Sequence, residues 1–139
     1  MNIREAKQAD VDDVLAFWSV ATLPSSTDDD EAVGALVEHA PGALLLAVGD
    51  DGAIVATVIA GWDGWRGTMY RLAVAPEHRR HGVARALVFE AERWLRSRGA
   101  RRLHLIVDEG QPIAQAFWSA AGYTATGQTR FVKSFALSS

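Results

Sequence analysis

The stretch from Val74 to Arg85 (VAPEHRRHGVAR) gathers three arginines around one glycine, where an apolar run ends in Pro76 and a helical pattern begins. The first turn of a helix leaves four backbone N–H groups unpaired and carries a partial positive charge. Gly82 has no side chain and Ala84 only a methyl group, so an anion can approach that backbone closely. Arg79, Arg80 and Arg85 add formal positive charge. The chemistry this spacing suits is a cradle for a pyrophosphate. It is not a Walker A loop, since no Gly-Lys-Ser/Thr is present. Nor does it have the Gly-x-Gly-x-x-Gly spacing of a dinucleotide fingerprint. His81 is placed to contact phosphate. His78 and His81 share the loop with no third ligand nearby, so no metal site is expected.

Proton transfer has fewer candidates. Asp63 lies in the turn Gly61–Gly67 (GWDGWRG), and Asp108 and Glu109 follow the apolar run 103–107. Any of them can accept a proton through water, and each also reads as a solvated loop acid. The charge is uneven along the 139 residues. Residues 1–51 carry eleven acids against two bases, and residues 79–102 carry eight arginines against two glutamates. This suits an anionic ligand in the middle of the chain and a cationic one at the front. Nucleic acid is not expected, because the arginines after 85 fall at mixed helical phases with no interleaved aromatics and the net charge is −3. There is no cysteine, which removes disulfides, thiol nucleophiles and thiolate-held metals. No apolar run approaches a membrane span, and the first residues lack the apolar core of a signal peptide. A cytoplasmic protein away from membranes is the expectation.

These groups need elements to hold them. Asn2 to Lys7 reads as a strand, and Asp10 as the cap of a helix carrying Val11, Val14, Leu15 and Trp18 on one face. Thr22 to Asp30 is polar, contains Pro24 and reads as a loop, followed by a short helix over 31–39. Two apolar runs, 43–48 and 53–60, flank Gly49-Asp50-Asp51-Gly52, a hairpin signal. Thr68 to Val74 is a third strand. The stripe Val83, Ala84, Leu87, Val88, Ala91, Trp94 and Leu95 makes 82–98 the clearest helix, stopped by Gly99. A strand over 102–107, a helix over 112–121 and two strands within 123–135 complete the chain. Strand 68–74, helix 82–98 and strand 103–107 have the length of a right-handed crossover, which makes those two strands parallel. One mixed α/β domain over 1–139 is expected.

Arg79-x-x-Gly82-x-Ala84 resembles the Arg/Gln-x-x-Gly-x-Gly/Ala signature of the GCN5-related N-acetyltransferases (the GNAT superfamily). Its context makes the likeness specific. Leu72-Ala73-Val74-x-Pro76 precedes it as the family's fourth strand does, and Ala114-x-x-Phe117-Trp118-x-x-x-Gly122-Tyr123 resembles a later family segment. The likeness covers nearly the whole chain. The stretch Gly61–Gly67, with Tyr70 after it, looks like a small bacterial subgroup named only as acetyltransferases.

The resemblance implies an α/β (α+β) fold, with a mixed central sheet splayed between two parallel strands and helices on both faces. It implies acetyl-CoA in the opening. The pantetheine arm would pair with the backbone of Leu72, Ala73 and Val74, and the pyrophosphate would sit on Arg80, His81, Gly82, Val83, Ala84 and Arg85, with Arg79 beside it. A backbone N–H near Val74 would polarise the acetyl carbonyl, and Gln111 and Trp118 would border the cofactor. The physical logic is general, since a parted sheet exposes backbone groups that an amide-rich arm can satisfy. Gln111 stands where many members have asparagine. Trp118 stands where many have a general-acid tyrosine, and an indole N–H is no proton-transfer acid near neutral pH. Packing is therefore the stronger reading of Trp118, while Tyr70 either faces the acetyl group or packs. The expected activity is acetyl transfer to a primary amine by direct attack in a ternary complex. The acceptor would be a small molecule or peptide, cationic because the loop and helix start at Asp28–Glu31 are acidic. The alternative is a degenerate module that binds acetyl-CoA without turnover, acting as a sensor or partner subunit. A homodimer is implied by the resemblance alone.

Overall fold

The computed structural model describes residues 1–107 and 112–136, which fall into two compact units, Met1–His104 and Leu105–Ser139. The first unit holds a five-stranded sheet in the order β1 (Asn2–Glu5), β2 (Leu44–Val48), β3 (Ile54–Trp62), β4 (Gly67–Val74), β5 (Leu103–His104). The first three pairings are antiparallel, and β4 with β5 is parallel. Three helices pack on it: α1 (Val11–Ala21), α2 (Asp30–His39) and α3 (Val83–Ser97).

Alternation along the strands sorts the two faces. Leu44 and Leu46 of β2 and Ala73 of β4 enter a core with Val11, Val14 and Trp18 of α1 and Val33 of α2. The opposite face receives α3 through Val83, Leu87, Val88, Ala91 and Leu95, much as the stripe predicts. Trp94 lies at the edge of that stripe and stacks against the Arg98 guanidinium, 4.2 Å from the ring centre. The strand β2 is buried on both faces, which is why it reads as an unbroken apolar run. Gly67 marks the tightest approach. A Cβ there would lie 2.4 Å from Leu103 Cδ2 and 3.1 Å from Leu95, so only glycine lets β4 start between β5 and α3.

The expected hairpin at 49–52 forms, closed by Gly49 N–H to the Ala53 carbonyl (2.9 Å). Four expectations need correction. Asp10 does not cap α1 with its side chain. Its carboxylate takes two hydrogen bonds from Arg4 (2.8 Å each) and one from the Lys7 N–H (2.8 Å), because Gln8–Asp10 form a separate 3-10 turn first. Helix α2 starts one residue early, at Asp30, with Asp29 as its cap accepting from Ala32 N–H at 2.7 Å. The strand expected over 102–107 is ordered as β5 for two residues only. In the second unit, α4 (Pro112–Ala120) stands as expected and turns at Gly122 (φ 96°). The two strands expected within 123–135 do not form among the described residues. Phe131 and Phe135 of that segment are exposed, and apolar alternation becomes a strand only where a partner strand lies alongside.

Candidate functional site

Strand β4 carries the first part of the site. Its pairing with β5 covers Gly67↔Leu103 and Thr68↔His104 and then stops. From Met69 to Val74, β4 has β3 on one side and no strand on the other among the described residues. This is the splay between parallel strands that the resemblance implies. Alternate N–H and C=O groups along that length face away from β3, and no described strand pairs with them. Leu72, Ala73 and Val74 lie there.

The open length contains a bulge. Ile59 faces Tyr70 and Thr57 faces Ala73, so three steps on β4 oppose two on β3. The extra residue is taken up around Arg71, whose φ is 53°. Its carbonyl takes a hydrogen bond from Thr57 Oγ1 (2.9 Å), and Thr57 Oγ1 in turn accepts one from Trp18 Nε1 (2.8 Å). Among the described residues, Thr57 is the one fully buried polar side chain, and both its hydrogen bonds serve this corner. The bulge turns two successive side chains, Tyr70 and Arg71, to the face of α1 and α2. Tyr70 is 56% exposed there and its ring lies over Gly61, whose Cβ would be 3.3 Å from Tyr70 Cε2. The structure thus places Tyr70 at the surface of the sheet, not in the core.

The cradle follows β4. Pro76–His78 form one 3-10 turn, then Arg80 (φ 67°) and Gly82 (φ 79°) both adopt left-handed backbone. Two such residues in one short loop fold it sharply against the start of α3. The helix ladder opens with Ala86 N–H to the Gly82 carbonyl (3.1 Å). The N–H groups of Val83, Ala84 and Arg85 therefore precede the ladder at the positive end of the helix. Arg80, His81, Gly82 and Arg85 are exposed around them, and Ala84 is half-buried. Arg79 Nε donates to the Val74 carbonyl (3.2 Å), tying the cradle to the end of β4.

Asp63 stands apart from these groups. Its Oδ1 accepts from Arg66 N–H (2.7 Å) and Trp65 N–H (2.8 Å) in the β3–β4 turn. Those backbone donors, Arg66 foremost, hold its carboxyl below the usual carboxylate range. Nothing draws it toward the cradle end of β4. In the same turn Trp65 is exposed and stacked by Arg66 at 4.1 Å. Asp108 and Gln111 lie outside the described residues. Trp118 is buried in the second unit with edge-to-face contacts to Phe117 (5.1 Å) and Tyr123 (5.0 Å), which is the packing role. No group of three metal-ligating side chains comes together among the described residues, and none of their helices is long and apolar enough to cross a membrane.

Sequence reasoning missed Arg71, Thr57 and the tie to Asp28. The signal was a cation inside an otherwise apolar strand, Thr68-Met69-Tyr70-Arg71-Leu72-Ala73-Val74, and a lone hydroxyl in the run Ala53–Ala60.

Comparison with known proteins agrees with this geometry. The aminoglycoside 6'-N-acetyltransferase AAC(6')-IG from Acinetobacter haemolyticus has a similar structure, with 22% identity, TM-score 0.74 and coverage of 98% of this chain and 99% of that one. AAC(6')-Iy in complex with the bisubstrate analogue CoA-S-monomethyl-acetylneamine is similar at 21% identity, TM-score 0.77 and coverage of 97% and 98%. Ard1 from Thermoplasma volcanium is similar at 19% identity, TM-score 0.80 and coverage of 91% and 84%. At such identities the likeness concerns the fold. The family model described as the acetyltransferase (GNAT) family matches residues 8–123, from the turn before α1 to the aromatic cluster after α4. A match over that much of the chain, on a sheet parted where the motif requires, means that the chain belongs to the acetyltransferase (GNAT) family.

Proposed function

We propose that the protein transfers the acetyl group of acetyl-CoA to a primary amine by direct attack in a ternary complex. The observation that carries this is the junction of an unpaired β4 edge with the anion-accepting start of α3. An amide-rich arm ending in a pyrophosphate has groups matching both. In this reading the backbone of Leu72, Ala73 and Val74 pairs with pantetheine. The N–H groups of residues 80–85 hold the pyrophosphate, with Arg80, His81 and Arg85 supplying charge. A β4 backbone N–H near Val74 polarises the acetyl carbonyl, where preorganised donors gain most as charge develops on the oxygen. The amine nitrogen bonds to the carbonyl carbon as the carbon–sulfur bond breaks, and the proton lost from nitrogen leaves through water.

The acceptor approaches from the face of α1 and α2, where Tyr70 is exposed. Tyr70 is the described side chain best placed to meet the reacting groups, as donor to the departing sulfur. Asp63 is a turn-locking residue more than a base. Two similar structures are aminoglycoside N-acetyltransferases, which favours a cationic acceptor, as do the acids Asp30 and Glu31 in the first turn of α2. Location in the cytoplasm suits a reaction that draws on acetyl-CoA. Trp118 supports a second reading, a module that binds acetyl-CoA without turnover, since its buried indole has no acidic proton to give.

Thermal shift with acetyl-CoA, together with CoA release on a panel of polyamines, aminoglycosides, amino acids and lysyl peptides, tests both. Acetyl-CoA at a hundred times its Kd should add about 2.7 kcal/mol of stability, and one cationic amine should release CoA. Stabilisation without release on any amine would favour the module. No stabilisation would overturn both readings.

A further inference from the structure

We propose that Arg71 is a positioning residue for the acceptor amine, clamping the α1–α2 loop on the face from which that amine would approach; this rests on the acetyltransferase reading above. The guanidinium leaves β4 at the bulge and reaches both ends of that loop. It donates to the Leu23 carbonyl (2.9 Å) and Thr22 Oγ1 (3.5 Å) where the loop leaves α1, and to the Asp28 carboxylate just before α2 begins. It also lies over the Trp18 ring, 5.3 Å from its centre. Both members of the ion pair are shielded, with side-chain exposures of 16% and 18%.

This placement is unusual for a loop contact. Loop 22–29 is polar and interrupted by Pro24, with little apolar surface to hold it down. One planar fork with five donors can grip a carbonyl, a hydroxyl and a carboxylate at once, which a lysine cannot. The backbone of Arg71 is itself fixed from below, since Thr57 Oγ1, which accepts from Trp18 Nε1, donates to its carbonyl. A continuous set of hydrogen bonds therefore runs from α1 through β3 to the β4 bulge and out to the loop. Tyr70, the neighbour of Arg71, stands exposed on the same face. The residue that bends β4 thus also sets where the α1–α2 loop sits relative to the open edge. The clamp has an electrostatic side as well. It occupies Asp28, so that carboxylate is a structural partner and not a free attractor for an incoming ammonium.

The test compares wild type, R71A, R71K and D28N on whichever amine the wild type acetylates. Amide hydrogen exchange is followed over residues 22–29 in the same proteins. Arg71→Ala should speed exchange across the loop and raise the amine KM by at least about tenfold, a loss of about 1.4 kcal/mol. The acetyl-CoA KM should stay within about twofold. Arg71→Lys, which keeps the charge and loses the fork, should fall between. Asp28→Asn should follow R71K, because the carbonyl contact at Leu23 survives; if R71A fails to fold, R71K and D28N carry the comparison. Faster loop exchange with an unchanged amine KM overturns the proposal, as does an equal rise in both KM values. A wild type that binds acetyl-CoA but acetylates no amine overturns the transferase reading, and this proposal with it.

Discussion

Gly82 shows how much a single residue can carry. It holds φ 79° at the mouth of α3, and a Cβ placed on it would meet no atom within 4 Å. Space does not require glycine there; backbone conformation does, and on the proposed reading a pyrophosphate beside it excludes a negative charge. Two substitutions separate these demands. Gly82→Ala bears only the cost of a left-handed backbone, roughly 1 kcal/mol of stability, and should leave acetyl-CoA affinity within about twofold. Gly82→Glu bears the same backbone cost and adds a carboxylate where, on the proposed reading, the pyrophosphate sits, so affinity should fall at least about tenfold, or about 1.4 kcal/mol. Isothermal calorimetry on the folded variants measures both, and equal affinities would move the anion elsewhere. The place of Gly82 at the start of α3 was legible because a glycine stands between the arginine loop and the apolar stripe of a helix. Arg71 was not. Its side chain reaches the α1–α2 loop only because one extra residue on β4 turns it to that face, and no spacing in the chain counts residues across two paired strands.

At the scale of elements, the crossover β4–α3–β5 was the most readable part, since its apolar stripe and two flanking runs leave one right-handed solution. The joint between β1 and α1 was misread. Asp10 looked like a helix cap, yet its carboxylate is gripped by Arg4, whose hydrogen bonds hold its pKa at about 2 against an ordinary 3.8. The sign of the consequence follows from the depressed value. The ionised form is favoured in the folded state, so its contribution is complete above the ordinary pKa and fades as acid protonates the folded protein. Urea midpoints of wild type and Asp10→Asn should therefore differ in wild type's favour at neutral pH and converge between pH 3.8 and about 2. A constant gap across that range would mean that Asp10 acts by shape alone. The β5 strand and the expected closing strands were misjudged for another reason. Pairing on β4 stops at Thr68, just before the bulge, and a bulge bends the strand that bears it. Where ladders stop depends on such bends, which a one-dimensional pattern does not record.

Across the molecule, the acidic front of the sequence is dispersed by folding. Asp10 pairs with Arg4, Asp28 with Arg71, Asp29 caps α2, and Asp50 meets the N-terminal ammonium at 3.3 Å. Of the run 28–31, Asp30 and Glu31 in the first turn of α2 remain to shape the field around the acceptor side. Neutralising Asp28 or Asp29 would disturb the loop itself, so the long-range effect belongs to the other two. The double change Asp30→Asn and Glu31→Gln should raise the amine KM a few-fold and weaken its salt dependence, leaving the acetyl-CoA KM unchanged, because screening acts on exposed charges. Steady-state kinetics at several ionic strengths measures this. An unchanged salt dependence would make these acids partners of the helix dipole and nothing more.

The side of β4 that no described strand pairs with has a consequence of its own. A run of free N–H and C=O groups is a template on which a strand from another molecule can add, and soluble proteins carry devices against this. Here the kink at Arg71 breaks the flatness such addition needs, and it does so in the middle of the open length. A flexible arm entering from one end can follow the bent edge, whereas a stiff foreign strand in register cannot. The same extra residue that shapes the site therefore also works against strand addition along this edge.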